Sequence, residues 1–384
     1  MYVSRISLRN WRNFAKADAD LRETVYILGP NASGKSNFLD IFRFMRDIVN
    51  PNGGGLQQAL ASRGGLGKVR SLAATKHPHV ELEFELRESL DDTAAHPDWK
   101  YHLSIQSEGT GKQRPCVLKE EAYRRGERLF TRPDREDKSD RERLTQTHLE
   151  QINMNKEFRE IASFFEDVLY LHLVPQLLKF GEHVFLPNLS SDPFGQGFLE
   201  QIAGTPKKTR DARLKHIQGI LASAIPNFEQ LKFIQDEQTG KPHLEMLYKH
   251  WRPKAGWQRE DQFSDGTLRL IAMLWTLLSS NSMILLEEPE LSLHTRVVEQ
   301  IPKLIFKTRQ SRKKSGGQIL ISTHSESMLA VSSIDGSFLI LQPGAGGEAT
   351  SIVAPSESDL QAMRDGMSPA DILLPQTAST ISAL

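Results

Sequence analysis

Gly29-Pro30-Asn31-Ala32-Ser33-Gly34-Lys35-Ser36 decides the fold of this chain, because it has the form G-x-x-x-x-G-K-S and stands between an apolar run and a helical pattern. The apolar run is Thr24 to Leu28, the signature of a buried strand. The helical pattern is Phe38, Ile41, Phe42, Met45 and Ile48, whose spacing puts them on one face and places Lys35 and Ser36 in the first turn. A loop of this composition turns backbone N–H groups inward around phosphates, and the helix behind it adds its positive end. Lys35 supplies a point charge at the β and γ positions, and the Ser36 hydroxyl is a ligand for Mg²⁺. Gly29 to Ser36 therefore reads as a phosphate-binding loop.

Bulk properties bound the rest. The 384 residues carry 48 Lys plus Arg against 48 Asp plus Glu, so the formal net charge is +0 and no overall field draws the protein to nucleic acid or membrane. Any such binding must use local patches. The single cysteine, Cys116, rules out an intrachain disulfide and fits a reducing compartment. No run approaches membrane-spanning length, and the N-terminal segment, with Arg5, Arg9 and Arg12, lacks the apolar stretch of a signal peptide. The expectation is a soluble protein of the cytoplasm.

Outward from the loop, Met1 to Leu28 alternates around a turn-like Arg12-Asn13 and predicts two or three strands. Gly53 to Gly67 reads as a flexible loop. Val80 to Leu86 and Tyr101 to Ile105 predict an antiparallel sheet beside the nucleotide core. Lys112 to Glu160, dense in charge, reads as a surface arm, most simply a solvated helical face. Val168 to Val174 is strand-like and ends at Pro175-Gln176. An inserted region follows, with a helix at Lys207 to Ala224 and strands at Leu231 to Ile234 and His243 to Tyr248. Beyond Phe263 the pattern is helix (Leu268 to Leu278), strand (Met283 to Leu286), helix (Val297 to Ile305) and strand (Gln318 to Ile321). That order predicts a parallel sheet shared with the loop strand across more than two hundred residues. The expected fold is thus α/β, a P-loop NTPase with a mixed central sheet, an antiparallel β lobe and an inserted helical, charged arm. Its expected lobes are 1–180, 181–262 and 263–384.

Met283 to Leu286 also delivers two carboxylates, Glu287 and Glu288, to the sheet edge where the phosphate loop begins. Glu287 is placed to hold Mg²⁺, directly or through water, and Glu288 to orient or deprotonate an attacking water.

Taken together, Gly29 to Ser36, Phe263-Ser264-Asp265-Gly266-Thr267, Leu286 to His294 (LEEPELSLH) and Ser322-Thr323-His324-Ser325 resemble an ABC-type ATPase head of the SMC, RecF and OLD-like branch. Leu8 to Phe14 (LRNWRNF) is similar to the start of RecF-like chains. The resemblance covers roughly residues 1 to 45 and 255 to 330. It implies ABC-head topology and assigns roles position by position. Ser264, Asp265 and Gly266 match the signature that closes over the γ-phosphate held by another protomer, which implies a head-to-tail homodimer around two ATP molecules. Glu288 matches the catalytic glutamate, Leu291 to His294 the loop crossing the dimer interface, and His324 the switch histidine. Gln176 is similar to the glutamine that links Mg²⁺ to the inserted lobe. Arg12 and Asn13 either touch nucleotide or form a structural turn.

Two positions depart from the family pattern. Glu287 stands where an aspartate is usual, and Asp265 where the second signature residue is glycine. The first leaves open how Mg²⁺ is held; the second puts a carboxylate near the composite site that could slow closure around ATP.

The kind of ATPase is narrowed by what the chain lacks. About ninety residues separate Gln176 from Ser264, with prolines and strand-like runs, so no long coiled coil joins the halves. The sixty residues after His324 contain no D-x-D pair, so a nuclease working with this ATPase is expected on another chain. The leading expectation is a stand-alone ATPase that serves as sensor or motor for a separate effector, a nuclease or toxin, in bacterial defence against phage. Alternatives are a RecF-like DNA-binding ATPase using Lys207, Lys208, Arg210, Arg213 and Lys215 or Arg309, Arg312, Lys313 and Lys314, and a nucleotide-gated scaffold with negligible turnover.

Overall fold

The computed structural model describes residues 1–74, 78–109, 114–180, 194–250, 256–310, 317–330, 336–344 and 349–377. The chain opens with β1 (Tyr2–Trp11), β2 (Phe14–Asp20), β3 (Thr24–Leu28) and α1 (Lys35–Val49). Two short helices, α2 (Leu56–Ala61) and α3 (Leu66–Val69), lead to β4 (Val80–Arg87), β5 (Trp99–Ser107), β6 (Pro115–Arg124) and β7 (Glu127–Arg132). Next come α4 (Arg135–Ser139), α5 (Arg159–Glu166), β8 (Leu169–Leu171) and α6 (Pro175–Phe180). The insert holds α7 (Phe198–Gly204), α8 (Lys207–Ala224), β9 (Phe228–Gln235), β10 (Pro242–Tyr248) and β11 (Trp257–Arg259). The C-terminal part runs α9 (Asp265–Ser279), β12 (Ile284–Glu287), α10 (Thr295–Val298), α11 (Ile301–Gln310) and β13 (Ile319–Thr323), followed by α12 (Glu326–Leu329), β14 (Ser337–Gln342), β15 (Ser351–Val353), α13 (Glu357–Arg364) and α14 (Pro369–Thr377).

The central sheet has the order β15-β14-β3-β13-β12-β8, parallel throughout except for β15 at one edge. Its strands alternate between two cores, as the two-residue period of a strand requires when both faces are covered. Val25, Ile27, Leu285, Leu320 and Leu339 face one core; Tyr26, Leu28, Ile284, Leu286, Ile319, Ile321 and Ile340 face the other. The first core is closed by α1 and a six-stranded antiparallel sheet of order β2-β1-β4-β5-β6-β7, the second by α8, α9 and α11. Helix α1 lies between two sheets and is apolar well beyond one stripe. Phe38, Phe42 and Phe44 meet Phe14, Phe84 and Trp11 at ring distances of 6.3, 6.0 and 5.1 Å.

Two expected segments come out differently. Gly53 to Gly67 is not a loose loop: Gly55 and Gly65, with φ of +113° and +87°, are the N-caps of α2 and α3, and the Leu56 amide donates to Glu150 Oε2 at 2.9 Å. Its glycines mark helix boundaries because they supply backbone angles other residues avoid. Within the charged stretch α4 is a short helix with Arg135, Glu136 and Lys138 exposed, but the part before it, residues 115–132, is not a solvated helical face. It forms the β6–β7 hairpin that completes the antiparallel sheet, and Arg132, 1% exposed, pairs there with Glu120 at 3.1 Å and Asp137 at 2.7 Å. Paired and fully hydrogen-bonded, these charges can be buried. The helix expected across Val297 to Ile305 is interrupted between α10 and α11, where Pro302, lacking an N–H, occupies the first turn of the second piece.

Candidate active site

Strands β3, β13, β12 and β8 run in the same direction, so their carboxyl ends meet at one edge of the sheet. Open α/β sheets bind ligands at that edge. Register levels Leu28 with Thr323, and Ser322 with Glu287. The phosphate loop, His324 and the two carboxylates therefore emerge side by side.

The loop has no room to spare. Gly34 has φ of +101°, and a Cβ there would lie 2.1 Å from Asn13 Nδ2; a Cβ at Gly29 would lie 2.4 Å from Ser33 Oγ. Asn13 braces the turn, donating from Nδ2 to Ser33 O and to Thr350 Oγ1, both at 2.8 Å, and accepting at Oδ1 from Asn37 at 2.8 Å. Arg12 forks onto Asp40 at 2.7 and 3.2 Å. These contacts hold the pair in a turn that braces the loop. Lys35 is buried, and its Nζ donates to Gly29 O at 2.9 Å and Pro30 O at 3.1 Å, so the ammonium sits inside the loop's own curve. Burial pushes its pKa down against the opposing pull of Glu288, Glu290 and Glu287.

At the end of β12 the two carboxylates diverge. Glu287 accepts from Ser36 Oγ at one oxygen and from the Tyr170 hydroxyl at the other. Glu288 turns away, with φ of +44°, while its N–H donates to Ser322 O at 3.1 Å. A non-glycine residue held at positive φ costs about 1–3 kcal/mol, and such strain tends to gather at functional sites. His324 Nδ1 stands 3.5 Å from Glu288 Oε1 and 3.9 Å from Glu290 Oε1. Glu290 lies within the LEEPELSLH segment, where its spacing alone assigns it no role. It is 8% exposed and accepts from Thr323 Oγ1 at 2.5 Å and from the His324 N–H at 3.3 Å, which fixes the backbone that carries the histidine. Nothing at residue 290 by itself signals this; the contact comes from the pairing of β12 with β13.

Ser264 is the N-cap of α9, accepting from the Thr267 N–H at 3.2 Å. A Cβ at Gly266 would lie 2.5 Å from Ser292 O, so only glycine lets the 291–294 loop approach this closely. Ser264, Gly266, Ser292 and His294 line a groove of about 630 Å³ to which none of residues 29–36 contributes. Asp265 is paired with Lys179 Nζ at 2.8 Å and lies 3.5 Å from Gln176 Nε2. The structure thus brings Gln176 to the signature helix; among the described residues no hydrogen bond joins it to Ser36 or Glu287. Of the first basic cluster, Arg210 lies over the Phe233 ring at 4.0 Å and Arg213 over Trp275 at 5.4 Å, leaving Lys207, Lys208 and Lys215 exposed. The side chains of Arg309, Arg312, Lys313 and Lys314 lie outside the described residues.

The donor set suits a nucleotide with Mg²⁺. The loop's tight curve is one that a Cβ at Gly29 or Gly34 would fill. Ser36 and Glu287 together offer one hydroxyl and one carboxylate, and Mg²⁺ commonly takes one or two carboxylates and completes its shell with phosphate and water. No group of three or more His, Cys, Asp or Glu side chains that could hold a metal occurs among the described residues. No described helix is long and apolar enough to cross a membrane.

With its phosphate loop and carboxylates at one sheet edge, this chain has the fold of an ABC-type ATPase head. It belongs to the family described as "AAA domain, putative AbiEii toxin, Type IV TA system", whose model matches residues 25–330. Over 93% of its length it superposes on an SMC head bound to the C-winged helix domain of ScpA, covering 99% of that chain, with a TM-score of 0.56 and 15% identity. An SMC head with an extended coiled coil from Pyrococcus furiosus, bound to the C-terminal domain of ScpA, matches 95% of this chain and 98% of its own, with a TM-score of 0.53 and 12% identity. At such identities the likeness is one of fold. In sequence, 55 residues are 40% identical to the DNA replication and repair protein RecF of Roseiflexus castenholzii, 14% of either chain, so the match spans about a seventh of that relative.

Proposed function

We propose that the chain is an ATP-hydrolysing switch that closes head to tail with a second copy around ATP and reports that state to a separate effector in defence against phage. The signature group carries this reading. Ser264 and Gly266 face a groove that the chain's own phosphate loop does not line, which supports a site covering a phosphate held by another copy. The family's description as a toxin and toxin–antitoxin system supports a defence role.

In this mechanism the loop N–H groups and Lys35 hold the β- and γ-phosphates. Ser36 and Glu287 would hold Mg²⁺, which would offset negative charge at the phosphates. Glu288, held out at positive φ, orients the attacking water and takes its proton, while His324 contacts the γ-phosphate from the neighbouring strand end. Lys179 neutralises Asp265, so the departure from glycine does not leave a bare carboxylate facing an incoming phosphate. That supports turnover over a silent scaffold; phosphate release that vanishes in Glu288→Gln would exclude the scaffold. The defining experiment is to trap the ATP state with Glu288→Gln, expressed from its native operon, and identify what co-purifies. Hydrolysis at full rate by a monomer with no partner would defeat the proposal.

A second reading, DNA binding, draws on the exposed Lys207, Lys208 and Lys215 of α8 and on the short likeness to a replication and repair protein. It requires ATP-dependent DNA binding that weakens steeply with salt, and no binding at low salt would remove it.

A further inference from the structure

We infer that Tyr170 is a positioning residue for the metal-holding carboxylate, and that Tyr170 and Glu287 form a matched pair in which the tyrosine suits the site to a glutamate rather than the shorter aspartate. The inference rests on the nucleotide reading above and adds a residue that nothing in the motifs points to.

Register brings the two side chains together. Strand β8 pairs in parallel with β12 so that Tyr170 stands opposite Leu285. Glu287 lies two residues beyond Leu285 and so projects from the same face of the sheet, the face covered by α1. A diagonal neighbour at that offset is beyond a short side chain but within reach of a tyrosine meeting a glutamate. The Tyr170 hydroxyl donates to Glu287 Oε2, which leaves Oε1 for the Ser36 hydroxyl. Each carboxylate oxygen therefore has one assigned partner, and the carboxylate plane is set from two sides.

The tyrosine is itself held from α1. Arg43, seven residues after Ser36 and so on the same helix face, lies with Cζ 4.0 Å from the Tyr170 ring centroid. Its guanidinium is anchored at 3.8 Å from Asp40. One helix thus presents the Ser36 hydroxyl to one carboxylate oxygen and clamps the tyrosine that holds the other. An aspartate at residue 287 is a methylene shorter; drawn toward Tyr170 it would withdraw from Ser36, and drawn toward Ser36 it would abandon Tyr170. The extra methylene and the tyrosine make sense together.

The test is a double-mutant cycle of Tyr170→Phe and Glu287→Asp, made in the Glu288→Gln protein and read as binding rather than activity. Mn²⁺ affinity of the ATP complex is measured by electron paramagnetic resonance, and binding of a fluorescent ATP analogue is measured in EDTA. Tyr170→Phe keeps the ring and its contact with Arg43, so metal-free nucleotide affinity should stay within about twofold while Mn²⁺ affinity falls about tenfold, the loss of one charge-assisted hydrogen bond. Glu287→Asp should also weaken Mn²⁺, and the double variant should bind no worse than Glu287→Asp alone, because both changes break the same contact. Unchanged Mn²⁺ affinity in Tyr170→Phe, or effects that multiply in the double variant, would overturn the pairing. If Tyr170→Phe failed to fold, Tyr170→Phe alone would lose its readout, and Arg43→Gln takes its place: releasing the clamp on the ring should lower Mn²⁺ affinity and spare metal-free binding, and an unchanged affinity would overturn the pairing equally. A parent protein that binds no metal–nucleotide would instead defeat the nucleotide reading itself.

Discussion

Lys179 Nζ lies 2.8 Å from Asp265 Oδ1, tying the helix that follows β8 to the first residue of α9. The pair neutralises a carboxylate at the helix end proposed to receive a partner's γ-phosphate. Lys179→Ala should therefore weaken ATP-driven association about fivefold, the scale of ~1 kcal/mol for a partly exposed ion pair, and Asp265→Asn should restore it in the double variant. Sedimentation of the Glu288→Gln protein with ATP measures both. Association unchanged by Lys179→Ala would show that the pair is incidental.

Lys35 is enclosed by its own loop, where it donates to Gly29 O and Pro30 O. Lys35→Ala removes the one cation in that curve, and ATP affinity by calorimetry should fall at least about a hundredfold. Retained affinity would contradict the role given to the loop.

Asn13 tests whether the turn at residues 12 and 13 supports the loop. Its amide joins Ser33 O, Thr350 Oγ1 and Asn37, three partners from three segments. Asn13→Ala should cost about 1–3 kcal/mol in chemical unfolding, because those partners are left unpaired, and should lower ATP affinity with Lys35 intact. A variant as stable as the parent would mean that water replaces the amide without loss.

His148 gives the β lobe an acid-sensitive element. Burial, and then the Arg132 guanidinium, push its pKa down to about 4, and among the described residues its Nε2 has no hydrogen-bond partner. Below the ordinary value near 6.5 the unfolded chain takes up a proton that the folded chain refuses, so this residue's contribution to stability falls as pH drops from about 6.5 to about 4. Below that window both states are protonated and the loss is complete. Unfolding free energies at pH 7 and 4.5 should therefore differ less in His148→Gln than in the parent. Equal differences would sink the assignment.

Much of this site was legible because its parts are local. The loop, its strand and α1 announce themselves by glycine spacing and apolar period, and Glu288 and His324 each follow a short buried strand. The misread segments are those whose meaning comes from far along the chain. The amide of Leu56 is satisfied by Glu150, 94 residues away, so the glycines around it looked like a loop rather than helix caps. Arg132, Glu120 and Asp137 looked like surface charge because their mutual pairing cannot be seen in sequence order. Tyr170 and Glu290 were invisible as functional residues for the same reason. Each acquires its role through strand register, Tyr170 from β8 beside β12 and Glu290 from β12 beside β13.

The most direct measurement is the molar mass of Glu288→Gln protein by light scattering, with and without ATP and Mg²⁺. The proposed switch predicts a monomer that doubles in mass only when ATP is present, and that remains single in the Lys35→Ala background. A Glu288→Gln protein that binds ATP and stays monomeric would contradict the claim that Ser264 and Gly266 complete a site begun on another copy.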